Sequence, residues 1–550
     1  MAKYGGGGSC SCDCCCVHSR ASVEEIKPHP VTEQLPGIQY CVNSPPHWSE
    51  AILLGFQHYV ITLGTTVFIP SMFVNQMGGS NVEKAKVIQT LLFVSGLSTL
   101  LQSLFGTRLP SVIGGSYAYI IPISSILHVK RYQMSPEPCD ADCGYQRFER
   151  TMREMQGALI VASCFQMLIG FLGIWRNILR FITPLSMVPL MTMTGFGLYY
   201  LGFPLVVKCV EIGLLELILV IIISQYLPHY LKMKRRIYDR YAVMLSVPFL
   251  WVFAQVLTSS GAYHKASSES QAVCRTDRAG LISGAPWIYI PYPFQWGMPT
   301  FKAGEAFAVM AASFVASVES TATFLVTARY GSATPVPASV LSRGISWLGF
   351  GTFLTGIFGT VTGSTASVEN AGSLALTRVG SRRVIQISVA FMIFFSILGK
   401  FGAFFASIPL PVLAALNCVF YSYASSAGLG LLQYCNLNSF RTKFILGLSF
   451  LLGLSIPQYF REHQLSTGAS PVRTHARWFN DMVTVIFTSH TVVAASVAVL
   501  LDCTLCREDD ETRKDRGSHW WEKFASYNTD VRSHDFYRLP FKLDKFFPPL

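Results

Sequence analysis

Three ionisable side chains sit inside long apolar stretches, where a charge is costly and needs a reason. His58 follows Gln57 in AILLGFQHYVITLGTTVFIPSMFV, residues 51–74. Glu319 lies in FVASVESTATFLV, and Glu369 lies beside Asn370 in GTVTGSTASVENAGSLALTR. Carboxylates at membrane depth can hold the N–H groups of a polar solute, or a proton. Each residue also has a blander role. The Gln57–His58 pair can glue helices together, and either acid can be purely structural. Tyr117, in SVIGGSYAYI, can stack on a flat ring or simply pack.

The segments that carry Tyr117 and Glu369 are rich in Gly, Ser, Thr and β-branched residues. That composition makes a poor uninterrupted helix. Irregular backbone is tolerated at membrane depth only where it lines a cavity or is buried in protein. The expectation is two half-helices, each preceded by a short strand. Their opposed N-termini would bring partial positive charge and free N–H groups to the midplane. Such a site suits a planar solute with both donors and acceptors. Gly-Ser-Tyr-Ala at 115–118 returns as Gly-Ser-Thr-Ala at 363–366. Ser116, Tyr117 and Ala366 therefore join Glu319, Glu369 and Asn370 as candidate binding residues.

Composition supports a membrane setting. Of 550 residues, 51% are hydrophobic and 13% charged, about half the charged share of a soluble domain. Apolar stretches long enough to cross a ~30 Å core recur about fourteen times. The fold class expected is an all-α polytopic membrane protein. The net charge of +12 comes from Lys and Arg at the ends of these stretches, not from a nucleic-acid motif. Arg176, Arg180, Lys232, Lys234, Arg235, Arg236, Arg240, Arg382, Arg383, Arg441 and Lys443 fall after even-numbered stretches. By the positive-inside rule both termini are then cytoplasmic. Arg378 reads as an inside anchor of the same kind.

The four-residue repeat falls in the third stretch of each seven-span half, and His58 and Glu319 are separated by a similar interval. An odd-numbered unit duplicated in this way inserts as an inverted repeat. The N-terminus lacks the apolar run of a secretory signal. Cys10, Cys12, Cys14, Cys15 and Cys16 crowd into it, as compositional bias, an acylation site or an irregular metal site. Cys139, Cys143 and Cys274 fall in loops expected outside, where Cys139 and Cys143 could bridge or stay free. No cofactor, metal or covalent chemistry is expected. No nucleophile–base constellation at membrane depth points to an enzyme.

Residues 369–378 read Glu-Asn-Ala-Gly-Ser-Leu-Ala-Leu-Thr-Arg. This resembles the signature of the nucleobase–ascorbate transporters: Gln, Glu or Pro, then Asn, any residue, Gly, four of any kind, Thr, and Arg, Lys or Gly. Glu369, Asn370, Gly372, Thr377 and Arg378 fill the fixed positions. Gln57–His58 resembles the family's Gln-His pair, and Glu319 its substrate-binding Glu. RTDRAGLI, SRGISWLGFGTFLTG and NLNSFRTKFILG resemble the plant branch.

The resemblance implies fourteen spans in two inverted seven-span repeats, with core and gate domains moving as an elevator, and a homodimer. The expected boundaries are a disordered cytoplasmic tail at 1–45, core spans at 46–180 and 303–407, and gate spans at 181–260 and 408–501. An extracellular loop at 261–302 and a cytoplasmic tail at 502–550 complete the chain. Glu319 and Glu369 would hydrogen-bond a base, Tyr117 would take the aromatic position, and His58 would brace the site. Glu369, where ascorbate carriers have Pro, argues for nucleobases.

The implied activity is proton-coupled uptake of purines such as xanthine, uric acid, adenine or guanine, with uracil open. The partners are the base, the proton and the plasma-membrane bilayer. One departure is Thr323, where several bacterial and fungal relatives carry a second ionisable residue. The proton would then rest on Glu319 or Glu369 alone. A facilitative, ascorbate or anion carrier is the alternative on the same architecture.

Overall fold

The computed structural model describes residues 31–132, 141–231, 237–277, 281–468, 470–505, 510–541 and 543. The chain divides into two units, Met1–Thr32 and Glu33–Leu550, and the architecture below is that of the second. Cys10, Cys12, Cys14, Cys15 and Cys16 lie outside the described residues, as do Cys139, the side chain of Cys143, and Lys232, Lys234, Arg235 and Arg236.

Fifteen helices of ten or more residues are found among the described residues. They are α1 (Trp48–Met77), α2 (Asn81–Leu104), α3 (Ile120–Tyr132), α4 (Ala141–Phe171), α5 (Pro184–Phe196), α6 (Val210–Ile221), α7 (Ala242–Ser259), α8 (Ala303–Tyr330) and α9 (Ala338–Phe358), followed by α10 (Val368–Thr377), α11 (Arg382–Ile397), α12 (Leu410–Leu429), α13 (Phe440–Thr467), α14 (Arg477–Thr488) and α15 (His490–Thr504). Two short strands, β1 (Ile113–Gly115) and β2 (Ser364–Ala366), precede α3 and α10.

Among the described residues, seven helices are long and apolar enough to cross a membrane, or nine if two bent pairs each count as one span. One pair is α11 with Gly399–Ala406, bent by 110°, and the other is α14 with α15, bent by 80°. Other apolar stretches are shorter for local reasons. After α6 the chain runs into a π-turn at Ile222–Tyr226, and Pro228, which offers no N–H, follows it.

The strands pair antiparallel, with Ile113 opposite Ala366, Gly114 opposite Thr365 and Gly115 opposite Ser364. Ser116 N–H to Gly363 O at 3.0 Å and Ser367 N–H to Val112 O at 2.9 Å extend the ladder. Buried backbone must be satisfied, and side chains complete the accounting. Thr99 Oγ1 accepts from Ile113 N at 2.9 Å. Thr362 Oγ1 accepts from Ser116 N at 3.2 Å and donates to Ser116 O at 2.9 Å. Ser320 Oγ accepts from Ala366 N at 3.0 Å. Glycine is needed at 115, because a Cβ there would come within 2.9 Å of Thr362 Cγ2.

Helix α4 packs on α9 and α8, while α1 and α2 pack on α11. Helix α12 packs on α5 and α10, and α15 on α5 and α13. A disulfide joins Cys209, just before α6, to Cys274, with the Cα atoms 5.9 Å apart.

Two expected tails are not free along their described parts. Val42 N–H bonds Gly331 O at 3.1 Å, Gly380 N–H bonds Tyr40 O at 2.8 Å, and Arg382 N–H bonds Val42 O at 3.1 Å. Residues 33–45 are thus tied to the helical body, because their backbone groups find partners there. At the other end, Tyr537 is fully buried. Its carbonyl accepts from Arg343 Nη2 at 2.9 Å, and Phe536 O accepts from Arg382 Nη2 at 3.0 Å. The two segments also meet. Glu33 pairs with Lys523 and, at 2.9 Å, with Arg532.

Candidate substrate site

Strand β2 ends where α10 begins. Ser367 caps the helix, its Oγ accepting from Asn370 N at 3.2 Å. Ser116 does the same after β1, accepting from Ala118 N at 3.3 Å at the start of a 3-10 turn that leads into α3. Both N-termini open onto one cavity of about 360 Å³, within the ~300–1,000 Å³ usual for small-molecule sites. Tyr117, Ala118, Ala366, Ser367 and Val368 line it, with Thr65, Phe68 and Met72 of α1. The facing wall comes from α5, the end of α13 and the α14–α15 junction.

Glu319, on α8, and Glu369, in the first turn of α10, both line this cavity. Glu369 is buried. Ser367 Oγ donates to its Oε2 at 2.8 Å, and the Tyr421 hydroxyl of α12 donates to its Oε1 at 2.8 Å. Glu319 is half-buried. Ser489, at the α14–α15 junction, donates to its Oε1 at 2.8 Å. Each acid is therefore held by a hydroxyl from another helix, Glu319 across the cavity and Glu369 from α12 packed beside α10. Tyr117 packs edge-on to Phe68, with ring centroids 6.2 Å apart. Thr323 Oγ1 donates to Glu319 O at 2.9 Å.

His58 does not line the cavity. It is buried, and its Nδ1 lies 2.8 Å from Asn370 Oδ1. The amide oxygen only accepts, so Nδ1 carries the proton. Asn370 Nδ2 donates to Thr62 Oγ1 at 3.2 Å and to Ser367 Oγ at 3.0 Å. This network ties α1 to the cap of α10 and so sets the position of Glu369. Gln57 is buried with its Oε1 unpartnered among the described residues.

The remaining motif residues are architectural. A Cβ on Gly372 would come within 2.7 Å of Phe420 Cα, so glycine lets α10 lie against α12. Thr377 Oγ1 donates to Ser373 O at 2.9 Å. Arg378 ends α10 with φ 56°, and its carbonyl accepts from Gln39 N at 3.0 Å.

Of the candidate binding residues, Glu319, Glu369, Tyr117 and Ala366 come together at the cavity. Ser116 and Asn370 do not line it, because capping and bracing occupy their side chains. Ser489, Tyr421, Tyr200, Arg461 and His490 carry no sequence signal of their own. The one hint is the polar Thr488–Ser489 break inside the apolar stretch 482–501. Glu216 is a further buried acid, bonded to Ser246 Oγ at 2.6 Å and away from the cavity.

A bundle of membrane-length helices around a cavity walled by broken helices is the architecture of a membrane permease. Residues 49–462 match the model of the permease family. The chain is 59% identical over 523 residues to nucleobase-ascorbate transporter 7 of Arabidopsis thaliana, covering 95% of this chain and 96% of the relative. It is 59% identical over 525 residues to nucleobase-ascorbate transporter 6 of the same plant, covering 96% and 98%. The transmembrane domain of a cyanobacterium bicarbonate transporter aligns at 13% identity with a TM-score of 0.42, covering 83% of this chain and 98% of that one. The chain belongs to the plant nucleobase–ascorbate transporter family, a family of multi-pass membrane permeases rather than enzymes.

Proposed function

We propose that this chain is a proton-coupled nucleobase symporter of the plasma membrane, with both termini cytoplasmic. The observation that carries the reading is the convergence of Glu319 and Glu369 on one cavity beneath two helix N-termini. Paired carboxylates accept from the N–H edge of a purine or uracil ring, the helix N-termini offer N–H groups to its oxo groups, and Tyr117 covers its face. In this reading α1–α4 and α8–α11 form the core, and α5–α7 and α12–α15 the gate. With the bent α14–α15 pair counted as one, together they make fourteen spans in two inverted repeats, working as a homodimer. The core moves as an elevator past the gate once base and proton have neutralised the midplane acids. The bare, charged core crosses less readily, and that difference couples the two fluxes. The Cys209–Cys274 disulfide supports placing the 261–302 loop outside, since disulfides persist in oxidising compartments.

The test is uptake of labelled xanthine, uric acid, adenine, uracil and ascorbate in cells lacking their own base transport, with and without an imposed proton gradient. Accumulation of a base above its external concentration, abolished by a protonophore, supports the reading. Equilibration alone would point to a facilitative carrier, and ascorbate as the sole cargo to the alternative specificity.

A further inference from the structure

Opposite the two acids, the cavity wall carries a cation that they do not neutralise. Arg461 projects from the end of α13, and its guanidinium carbon lies 3.8 Å from the centroid of the Tyr200 ring. Among the described residues Arg461 makes no ion pair and no hydrogen bond. A guanidinium has five N–H donors in a planar fork. Stacking on a ring uses its face and leaves the fork free. Tyr200 is half-buried and lines the same cavity as Arg461, Glu319 and Glu369.

The seat of this guanidinium is built. Tyr199, beside Tyr200, donates to Gln458 of α13. It also sets its ring edge-on to His490, with centroids 5.8 Å apart. His490 lines the cavity, is 5% exposed, and leaves its Nε2 without a partner among the described residues. Gly197 makes room for it, since a Cβ there would come within 2.6 Å of His490 Cβ.

We infer that Arg461 is a specificity-determining cargo contact, presenting its fork to the acceptor-rich edge of a ring whose N–H edge faces Glu319 and Glu369. Planar forks recognise paired oxygens bidentately, with charge-assisted bonds. The subsite therefore favours oxo-substituted, weakly acidic heterocycles over amino-substituted ones. It also draws an anionic ring into a cavity whose other wall is acidic. This assignment rests on the nucleobase reading above.

Uptake kinetics of Arg461→Gln and Arg461→Lys test it, in base-transport-deficient cells with surface protein measured by a fluorescent fusion. For Arg461→Gln, KM for uric acid and xanthine should rise about 10- to 150-fold, the range for losing a hydrogen bond with a charged group. KM for adenine should stay within about twofold. Arg461→Lys, which keeps the charge but loses the fork, should fall between. Tyr200→Phe, which keeps the ring, should preserve the cargo ranking. If Arg461→Gln does not reach the surface, Arg461→Lys decides alone, by a KM rise for uric acid without one for adenine. Equal shifts for every cargo, or none, overturn the assignment and leave the nucleobase reading standing. No base transport by the wild type overturns both.

Discussion

The acids at 319 and 369 are each held by a hydroxyl, and if the proposed cargo binds Glu319 it has to replace the one on that acid, which can be measured. Ser489 donates to Glu319 and Tyr421 to Glu369, each at 2.8 Å. A hydrogen bond to a charged group contributes about 1.5–3 kcal/mol, or roughly 10- to 150-fold in an equilibrium. Glu319 is half-buried at the cavity surface, so water can take over from the Ser489 hydroxyl. That places Ser489→Ala at the lower end, about 1.5 kcal/mol. With the competitor gone, the KM for a transported base should fall up to about tenfold.

Tyr421→Phe should act in the opposite sense. Glu369 is only 4% exposed, so water does not stand in, and a buried acceptor is left unmet at a cost of about 1–3 kcal/mol. The expected result is a lower surface level and a lower maximal rate. The assay is concentration-dependent uptake normalised to surface protein. A KM that is unchanged or higher in Ser489→Ala would refute the idea that cargo and gate hydroxyl compete for one oxygen.

Three further outcomes follow from particular contacts. Gly372→Ala drives a methyl into the Phe420 backbone and should cost about 1–3 kcal/mol, read as a lower melting temperature of the purified protein. His58→Ala removes the donor that orients Asn370, so uptake should fall through maximal rate and KM together, and His58→Asn, which keeps a donor, should recover part of it. At the tails, burial alone would raise the Glu33 carboxyl, but hydrogen bonds and charge from Lys523 and Arg532 outweigh it and hold it below the ordinary 4.5. A depressed carboxylate stabilises fully above its unfolded value and loses that contribution as pH falls through the folded one. The tail clasp should therefore open to protease below pH 4.5. Glu33→Gln should open it at neutral pH too, for only about 0.2–1 kcal/mol, because Lys523 and Arg532 are over 40% exposed.

The site was legible where chemistry contradicted its surroundings. Glu319 and Glu369 announce themselves as charges in apolar runs, and the Gly- and Ser-rich breaks mark where helices stop. What single residues do once folded was less legible. Ser116 and Asn370 are polar residues in the right segments, yet capping and bracing, which depend on tertiary neighbours, absorb them. Tyr421 and Ser489 look like ordinary membrane-helix residues, and only the approach of α12 and of the α14–α15 junction turns them toward the acids. Arg461 lies past the apolar stretch ending near 456, where an arginine reads as a helix-end anchor. Residues 33–45 are polar enough to suggest a loose tail, but backbone pairing with Gly331, Gly380 and Arg382 holds them, and no pattern of side chains encodes that.

The most direct test of the two-acid site is uptake driven by a proton gradient in Glu319→Gln and Glu369→Ala, at matched surface levels. Glu319→Gln should still bind labelled base but lose its acid-stimulated accumulation, and Glu369→Ala should lose binding. Gradient-driven accumulation at the wild-type level in both variants would contradict the account.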